Sequence, residues 1–255
     1  MVLQSLIQKA LCELNVMSSV MQIRQLAGGC IHGASVVTGE CGSKCVIKCA
    51  DISQSSMLES EHDGLSDLAA TGTVSIPEVY GMSQVDDLFF LVTEFIEPDG
   101  SEPQWTLFGR DLAQLHAAPH DQAAYGYRAA NYLGHTPQIN KWNGDWIFFN
   151  TEYRLGYQQK SIRLKGCLPS DLDKKLSVII SELHAFIPAQ PRVSLLHGDL
   201  WSGNSVLGIQ GRVNLIDPAC SYGDGWADIA MMRLFGGFPE QVFRAYAAEQ
   251  EKVEH

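Results

Sequence analysis

The spacing of apolar residues predicts two helices and five short strands in the first part of the chain. Apolar residues recur at helical spacing over 3–14 and again over 57–71, where Leu58, Leu65 and Leu68 share one side. Short apolar or alternating stretches, separated by glycine-bearing turns, predict strands. The predicted strands cover 23–26, 35–38, 44–49, 77–81 and 88–95. We therefore expect a five-stranded sheet that carries one main helix within residues 1–96.

The pattern changes after a turn-rich stretch at 97–103, which is the candidate hinge. The remainder of the chain is mainly helical, with only short strand-like pieces between the helices. The predicted helices cover 105–116, 145–159, 170–186 and 240–250, and the strand pieces cover 194–196 and 212–216. A small β-rich lobe (1–96) followed by a larger helical lobe (97–255) indicates an α+β fold.

Composition and charge exclude several classes of protein. The 255 residues are 45% apolar and 18% charged, which is typical of a globular protein. Acidic residues outnumber basic ones by 29 to 18, giving a formal charge of −11 and no basic cluster for nucleic acid or an anionic membrane. The amphipathic first helix does not fit a signal peptide, and no apolar run is long enough to span a membrane. Seven cysteines, an odd number, favour reduced thiols in a cytoplasm.

The strongest chemical signal is the segment 195–204, Leu-Leu-His-Gly-Asp-Leu-Trp-Ser-Gly-Asn. Asp199 and Asn204 are five residues apart, the spacing of a kinase catalytic loop, in which the aspartate receives the hydroxyl proton and the asparagine holds a metal ion. Asp217 ends a short apolar stretch and is the candidate for a second metal-holding acid. The alternative is a polar turn between two core strands, which the combined pattern of the three positions disfavours. The pattern predicts ATP and Mg²⁺ as cofactors.

A second signal lies in the N-terminal lobe. Gly28 and Gly29, followed by Cys30, form a turn whose backbone N–H groups could cover phosphates. Strand alternation places Val46 and Lys48 on one face of the third strand, so that Lys48 could reach the phosphates and Val46 could cover the adenine. The alternatives are an ordinary turn and a solvent-exposed strand lysine.

Lys48 needs an acid to orient it, and the helix at 57–71 offers two. Glu61 shares the apolar stripe with Leu65, whereas Glu59 falls nearer the polar side, so we choose Glu61. The stretch at 93–96, which joins the lobes, could bond the edge of the adenine through its backbone groups. The side chain of Glu94 could equally be an exposed charge at the rim of the cleft. The candidates there are Glu94, Phe95 and Ile96.

An acceptor pocket has a weaker signal in the larger lobe. Trp142, Trp146 and Trp201 could offer flat apolar faces to a sugar. Hydrogen bonds could come from Asn131, Gln138 and Asn140. The alternative for each tryptophan is a place in the core.

Over residues 23–246 the chain resembles the fructosamine/ketosamine-3-kinases, relatives of the aminoglycoside phosphotransferases. The resemblance rests on the segment 197–204 with its tryptophan, and on motifs in the same order and spacing at 131–134, 217–219, 222–224, 227–230 and 235–239. It implies a bilobal, protein-kinase-like fold, ATP, Mg²⁺ and phosphorylation of the 3-hydroxyl of a fructosamine or ribulosamine in deglycation repair. It also implies that Asp228 braces the catalytic loop.

The resemblance leaves several alternatives open. The acceptor could be a glycated amine, free or attached to a protein, or an aminoglycoside or amino alcohol; a silent nucleotide-binding scaffold is a further interpretation. A cysteine at the position of Cys30 resembles a redox-sensitive site, so its oxidation is expected to lower activity, and an inert residue in a tight turn is the alternative. The chain is expected to be a monomer or a homodimer.

Overall fold

The N-terminal part of the protein is a five-stranded antiparallel sheet, seen in a computed structural model that describes residues 2–26 and 33–253. The strands are β1 (Gln22–Gln25), β2 (Ser35–Thr38), β3 (Lys44–Asp51), β4 (Val79–Val85) and β5 (Leu88–Glu94). Their order in the sheet is β1-β2-β3-β5-β4. Helix α1 (Val2–Glu13) precedes the sheet and helix α2 (Ser55–Ala70) connects β3 to β4. The predicted five strands and main helix are confirmed.

Side chains along β3 point alternately into the apolar core and into a cleft on the other face of the sheet. Cys45 and Ile47 are buried in an apolar layer with Ile7 and Leu11 of α1. Val46 and Lys48 face the other side and line a cleft. Successive side chains of a strand point to opposite faces, so one strand serves both the core and the cleft. The face assigned to Val46 and Lys48 from the sequence is therefore the observed one.

The remaining elements are mainly helical, with three two-stranded sheets among them. The helices are α3 (Trp105–Ala117), α4 (Trp146–Asn150), α5 (Gly156–Leu164), α6 (Ser170–Ser181), α7 (Trp226–Phe235) and α8 (Glu240–Val253). The strand pairs are β6 (Asn131–Leu133) with β7 (Thr136–Gln138), β8 (Ser194–Leu196) with β11 (Ser221–Gly223), and β9 (Ser205–Leu207) with β10 (Val213–Leu215). Buried side chains of α3, α7 and α8 form one core with those of β8 and β10.

Several boundaries differ from the sequence prediction. The helix expected over 145–159 is interrupted by a π-helical turn, Thr151–Leu155, and the one expected over 170–186 ends at Ser181. Helix α7 and the strands β6, β7, β9 and β11 were not predicted as elements. The α+β class is confirmed, whereas the division of the chain at residues 96 and 97 stays a prediction. Among the helices built from the described residues, none is both long and apolar enough to cross a membrane.

Candidate active site

A buried lysine on β3 connects the sheet to α2 and to the larger lobe. Lys48 Nζ lies 2.7 Å from Glu61 Oε1 and also donates to Asp217 Oδ1. Lys48 is only 8% exposed, so the ion pairs are largely screened from water. Burial raises the pKa of Glu61, the nearby Asp217 raises it further, and Lys48 opposes both effects. The ion pair expected between Lys48 and Glu61 is present.

Asp217 has an unusual backbone conformation. Its φ is +54°, in the left-handed region that residues with a side chain seldom adopt, although aspartate tolerates it better than most. Non-glycine residues in this region cluster at functional sites. Asp217 follows strand β10, from which it is separated only by Ile216. Its backbone conformation places the carboxylate beside Lys48. Position at a strand end was predicted from the sequence, but the backbone conformation was not.

Asn204 joins Asp199 of the predicted catalytic loop to Asp217. Its Nδ2 donates to the backbone O and to Oδ2 of Asp199, at 2.8 and 2.9 Å, and to the backbone O of Asp217 at 3.4 Å. Because the amide nitrogen is the donor in all three bonds, Oδ1 of Asn204 is the atom that could bind a cation. Burial raises the pKa of the Asp199 carboxyl, which suits a group that accepts a proton.

The start of the catalytic loop is held by a buried acid of α7. Asp228 accepts hydrogen bonds from the backbone N–H of His197 at 2.8 Å and of Gly198 at 2.9 Å, and His116 contacts the same carboxylate at 3.2 Å. Burial opposes ionisation of Asp228, but these bonds outweigh it and lower its pKa. The bracing contact implied by the family resemblance is therefore present in the structure.

His197 is a buried, neutral part of the same loop. Its Nε2 donates to the backbone O of Ile216 at 3.0 Å, and its Nδ1 accepts from the N–H of Asp199 at 3.3 Å. Burial lowers the pKa of the imidazole, which fits a ring that donates on one side and accepts on the other. The residue thus ties the loop of Asp199 to the segment that leads into Asp217.

Lys48, Glu61, Asn204 and Asp217 line a cleft of about 460 Å³ between the sheet and the catalytic loop, and Asp199 adjoins it through Asn204. Its walls are mainly apolar and carry a few polar side chains, as is usual for a small-molecule site. The lining residues predicted from the sequence are Val46, Lys48, Glu61, Glu94, Phe95, Ile96, Trp201, Asn204 and Asp217. Gly28, Gly29 and Cys30 lie outside the described residues.

The backbone of Glu94 is already used within the sheet. Its N–H donates to the backbone O of Glu78 at 2.8 Å, and its carboxylate accepts from the N–H of Glu78 at 3.1 Å. The N–H of Glu94 is therefore not available to adenine, and the expected backbone contact between the joining stretch and the adenine edge stays a prediction. Glu94, Phe95 and Ile96 all line the cleft.

Four of the residues expected at an acceptor pocket are buried: Asn131, Gln138, Asn140 and Trp146. Asn131 is 2% exposed; its Nδ2 donates to Cys220 O at 2.7 Å, and its Oδ1 accepts from Gln138 and Asn140. Trp146 is 5% exposed and packs against Tyr125 and Phe149. Their side chains are used by interior contacts, which argues against direct contact with an acceptor.

The other two tryptophans remain accessible. Trp201 lines the nucleotide cleft beside the catalytic loop. Trp142 is exposed and lines a separate cavity of about 320 Å³, together with Tyr222, Asp67 and Arg128. Only Trp201 therefore lies next to the predicted catalytic residues.

Sequence reasoning missed one residue that sets the position of Glu61. Gly64 lies one turn later on α2, where a Cβ would come within 2.9 Å of Pro218 Cγ and 3.2 Å of Cys220 Sγ. Glycine is unfavourable in the middle of a helix. A glycine at this place, on the stripe that carries Glu61, was the available signal of close packing.

The oxygen donors fit a magnesium–nucleotide complex. The carboxylate of Asp217 and the amide oxygen of Asn204 are hard ligands, which Mg²⁺ prefers, and Mg²⁺ usually combines one or two such groups with phosphate oxygens. Lys48 supplies a cation beside them. Charge placed in this way is what phosphoryl transfer requires of a protein.

Comparison with known proteins agrees with this geometry. A family model described as fructosamine kinase matches residues 3–253. A Synechocystis protein named "Probable ketoamine kinase" is 36% identical over 231 residues, which cover 89% of this chain and 76% of that protein. A chloroplastic protein-ribulosamine 3-kinase of Arabidopsis thaliana is 34% identical over 230 residues, covering 90% of this chain and 70% of the relative.

The fold comparison leads to the same group. A crystal structure of a protein named as a fructosamine-3-kinase from Haemophilus somnus superimposes with a TM-score of 0.81 at 23% identity, covering 99% of this chain and 86% of the other. This confirms the protein-kinase-like fold expected from the sequence. Because the family model spans nearly the whole chain, the protein belongs to the fructosamine kinase family.

Proposed function

We propose that this protein is a kinase that uses ATP and Mg²⁺ to phosphorylate the 3-hydroxyl of a ketosamine, a fructosamine or ribulosamine. The observation that carries the proposal is the convergence of Lys48, Glu61, Asn204 and Asp217 at one cleft, with the Asp199 carboxylate hydrogen-bonded to Asn204. The names of the relatives, ketoamine kinase and protein-ribulosamine 3-kinase, support the choice of acceptor.

The chemistry depends on the placement of charge. The oxygen of the acceptor hydroxyl attacks the γ-phosphorus, its proton passes to the carboxylate of Asp199, and ADP departs with the electrons of the broken P–O bond. Mg²⁺, held by Asp217 and Asn204, would neutralise phosphate charge when bound. Lys48, oriented by Glu61, contacts the phosphates, and Asn204 keeps the Asp199 carboxylate aimed at the acceptor.

The lobes divide these tasks. We assign residues 1–96 to nucleotide binding and residues 97–255 to catalysis and acceptor binding. We expect the protein to work in the cytoplasm, in deglycation repair. Its substrates would be glycated amines, free or attached to a protein. We expect neither nucleic acid nor membrane as a partner. The formal charge of −11 supports the last point.

An acceptor panel tests the proposal. ADP formation is measured with no acceptor, with fructosamines and ribulosamines, both free and on a lysine peptide, with an aminoglycoside and with an amino alcohol. We expect ADP formation that depends on the ketosamines, with the phosphate found on the sugar. Turnover with the aminoglycoside or the amino alcohol alone would contradict the choice of acceptor. Nucleotide binding without turnover of any acceptor would indicate a silent scaffold.

A further inference from the structure

Two phenylalanines near the end of α7 have opposite environments. Phe238 is 9% exposed and packs on Trp105 and Phe108 in the core. Phe235, three residues earlier, is 61% exposed, and its ring centroid lies 6.3 Å from that of Trp201. Core packing therefore explains the position of Phe238 but not that of Phe235.

The chain immediately after Phe235 is pressed against the catalytic loop. Gly236 and Gly237 have φ values of +72° and +91°, a conformation that favours glycine. A Cβ at Gly237 would overlap the side chain of Ser202, which belongs to the catalytic loop. This close contact fixes the end of α7, and with it Phe235, relative to Asp199.

Trp201 connects this ring to the nucleotide cleft. It lies two residues after Asp199 and lines the cleft, and its six-membered ring covers Gly203 so closely that a Cβ there would overlap it. Phe235 is not a lining residue of the cleft, and its exposed ring lies beside that of Trp201. The two rings therefore form an aromatic surface that begins two residues from Asp199 in the catalytic loop.

We propose that Phe235 is a specificity-determining residue that contacts the amine substituent of the acceptor; this inference rests on the proposed function. In a ketosamine the amine nitrogen is three bonds from the carbon that bears the 3-hydroxyl. With that hydroxyl at Asp199, the sugar lies against Trp201 and the group on nitrogen reaches the next ring, Phe235. An exposed aromatic ring selects for apolar and aromatic substituents.

Two acceptors that differ only in this substituent test the proposal. They are 1-amino-1-deoxyfructose, which has a free amino group, and its N-benzyl derivative. The wild-type protein should show the lower KM for the benzyl compound. Phe235→Ala should raise the KM for the benzyl compound by about 3- to 10-fold, the effect of losing one aromatic pair. It should leave the KM for the unsubstituted acceptor, the KM for ATP and the thermal unfolding midpoint unchanged.

The neighbouring residue provides the matched control. Leu234 is on the same helix and is even more exposed, at 79%, so Leu234→Ala should leave both acceptor KM values unchanged. Equal KM values of wild type and Phe235→Ala for the benzyl compound would overturn the inference, as would an equal rise for both acceptors. If the wild-type protein phosphorylates neither acceptor, it is the proposed function that fails.

Discussion

Gly64 gives the sharpest test of how α2 is positioned. This glycine lets the helix lie directly on the segment that carries Asp217, because a Cβ would come within 2.9 Å of Pro218 Cγ. Glu61 lies one turn earlier on the same helix and meets Lys48 at 2.7 Å. Gly64→Ala should therefore push α2 away from Pro218 and disturb the Lys48–Glu61 pair.

The size of the effect is set by the contact distances. Carbon atoms in ordinary contact are about 3.5–4.0 Å apart, so an alanine at this site requires a shift of roughly 0.6–1.1 Å. Alanine gains about 1 kcal/mol of intrinsic helix stability, which offsets part of the roughly 1–3 kcal/mol that overpacking costs. Misplacement of a catalytic group by about 1 Å can cost a hundredfold in rate. We expect kcat/KM for ATP to fall about 10- to 100-fold while unfolding free energy falls by at most about 2 kcal/mol.

Steady-state kinetics and urea unfolding measure the two effects separately. Gly144→Ala is the matched control, because Gly144 is exposed and a Cβ there would have open space. Pro218→Ala removes the atom that a Cβ at Gly64 would strike. The double variant should therefore recover activity relative to Gly64→Ala. If the two substitutions are simply additive, or if Gly64→Ala has normal kcat/KM, the packing argument is refuted.

Further predictions concern the groups that support the site. Asp228→Asn should cost about 1–3 kcal/mol of unfolding free energy in urea, because the amide cannot accept from both His197 and Gly198; an unchanged value would contradict the bracing role. Arg154→Met should also lower the unfolding free energy by roughly 1–3 kcal/mol, because Asn140 Oδ1 loses the guanidinium donor that lies 2.7 Å away. An unfolding free energy equal to that of the wild-type protein would show that this bond does not stabilise the fold. Burial lowers the pKa of His197, so below about pH 6.5 the unfolded chain binds more protons and unfolding free energy falls as the pH is lowered. Urea unfolding at successive pH values measures this effect. Below about pH 6.5 the unfolding free energy of His197→Gln should depend less steeply on pH than that of the wild-type protein, and equal slopes would contradict this assignment.

The parts of the site that could be predicted from the sequence are those governed by local periodicity. Strand alternation placed Lys48 on the cleft face, and helical spacing selected Glu61 as its partner. The five-residue spacing of Asp199 and Asn204 fixed their mutual contact, because both lie on one short loop. In each case the deciding geometry extends over a few residues of chain.

The features that escaped prediction depend on partners that are distant in sequence. Residue type does not reveal that Asn131 bonds the backbone of Cys220, 89 positions away, so its burial could not be foreseen. The same holds for Trp146, whose burial depends in part on packing against Tyr125 from a different segment of the chain. Phe235 belongs to a motif noted in the sequence, but only the fold shows its ring to be exposed.

The central claim is that Asp199 accepts the proton of the acceptor hydroxyl at a site that binds ATP independently of it. The most direct measurement compares Asp199→Asn with the wild-type protein in ketosamine phosphorylation and, separately, in binding of a non-hydrolysable ATP analogue with Mg²⁺. The asparagine variant should bind the analogue normally and lose most of its turnover, by about 100-fold or more. Near-normal turnover in this variant would contradict the account.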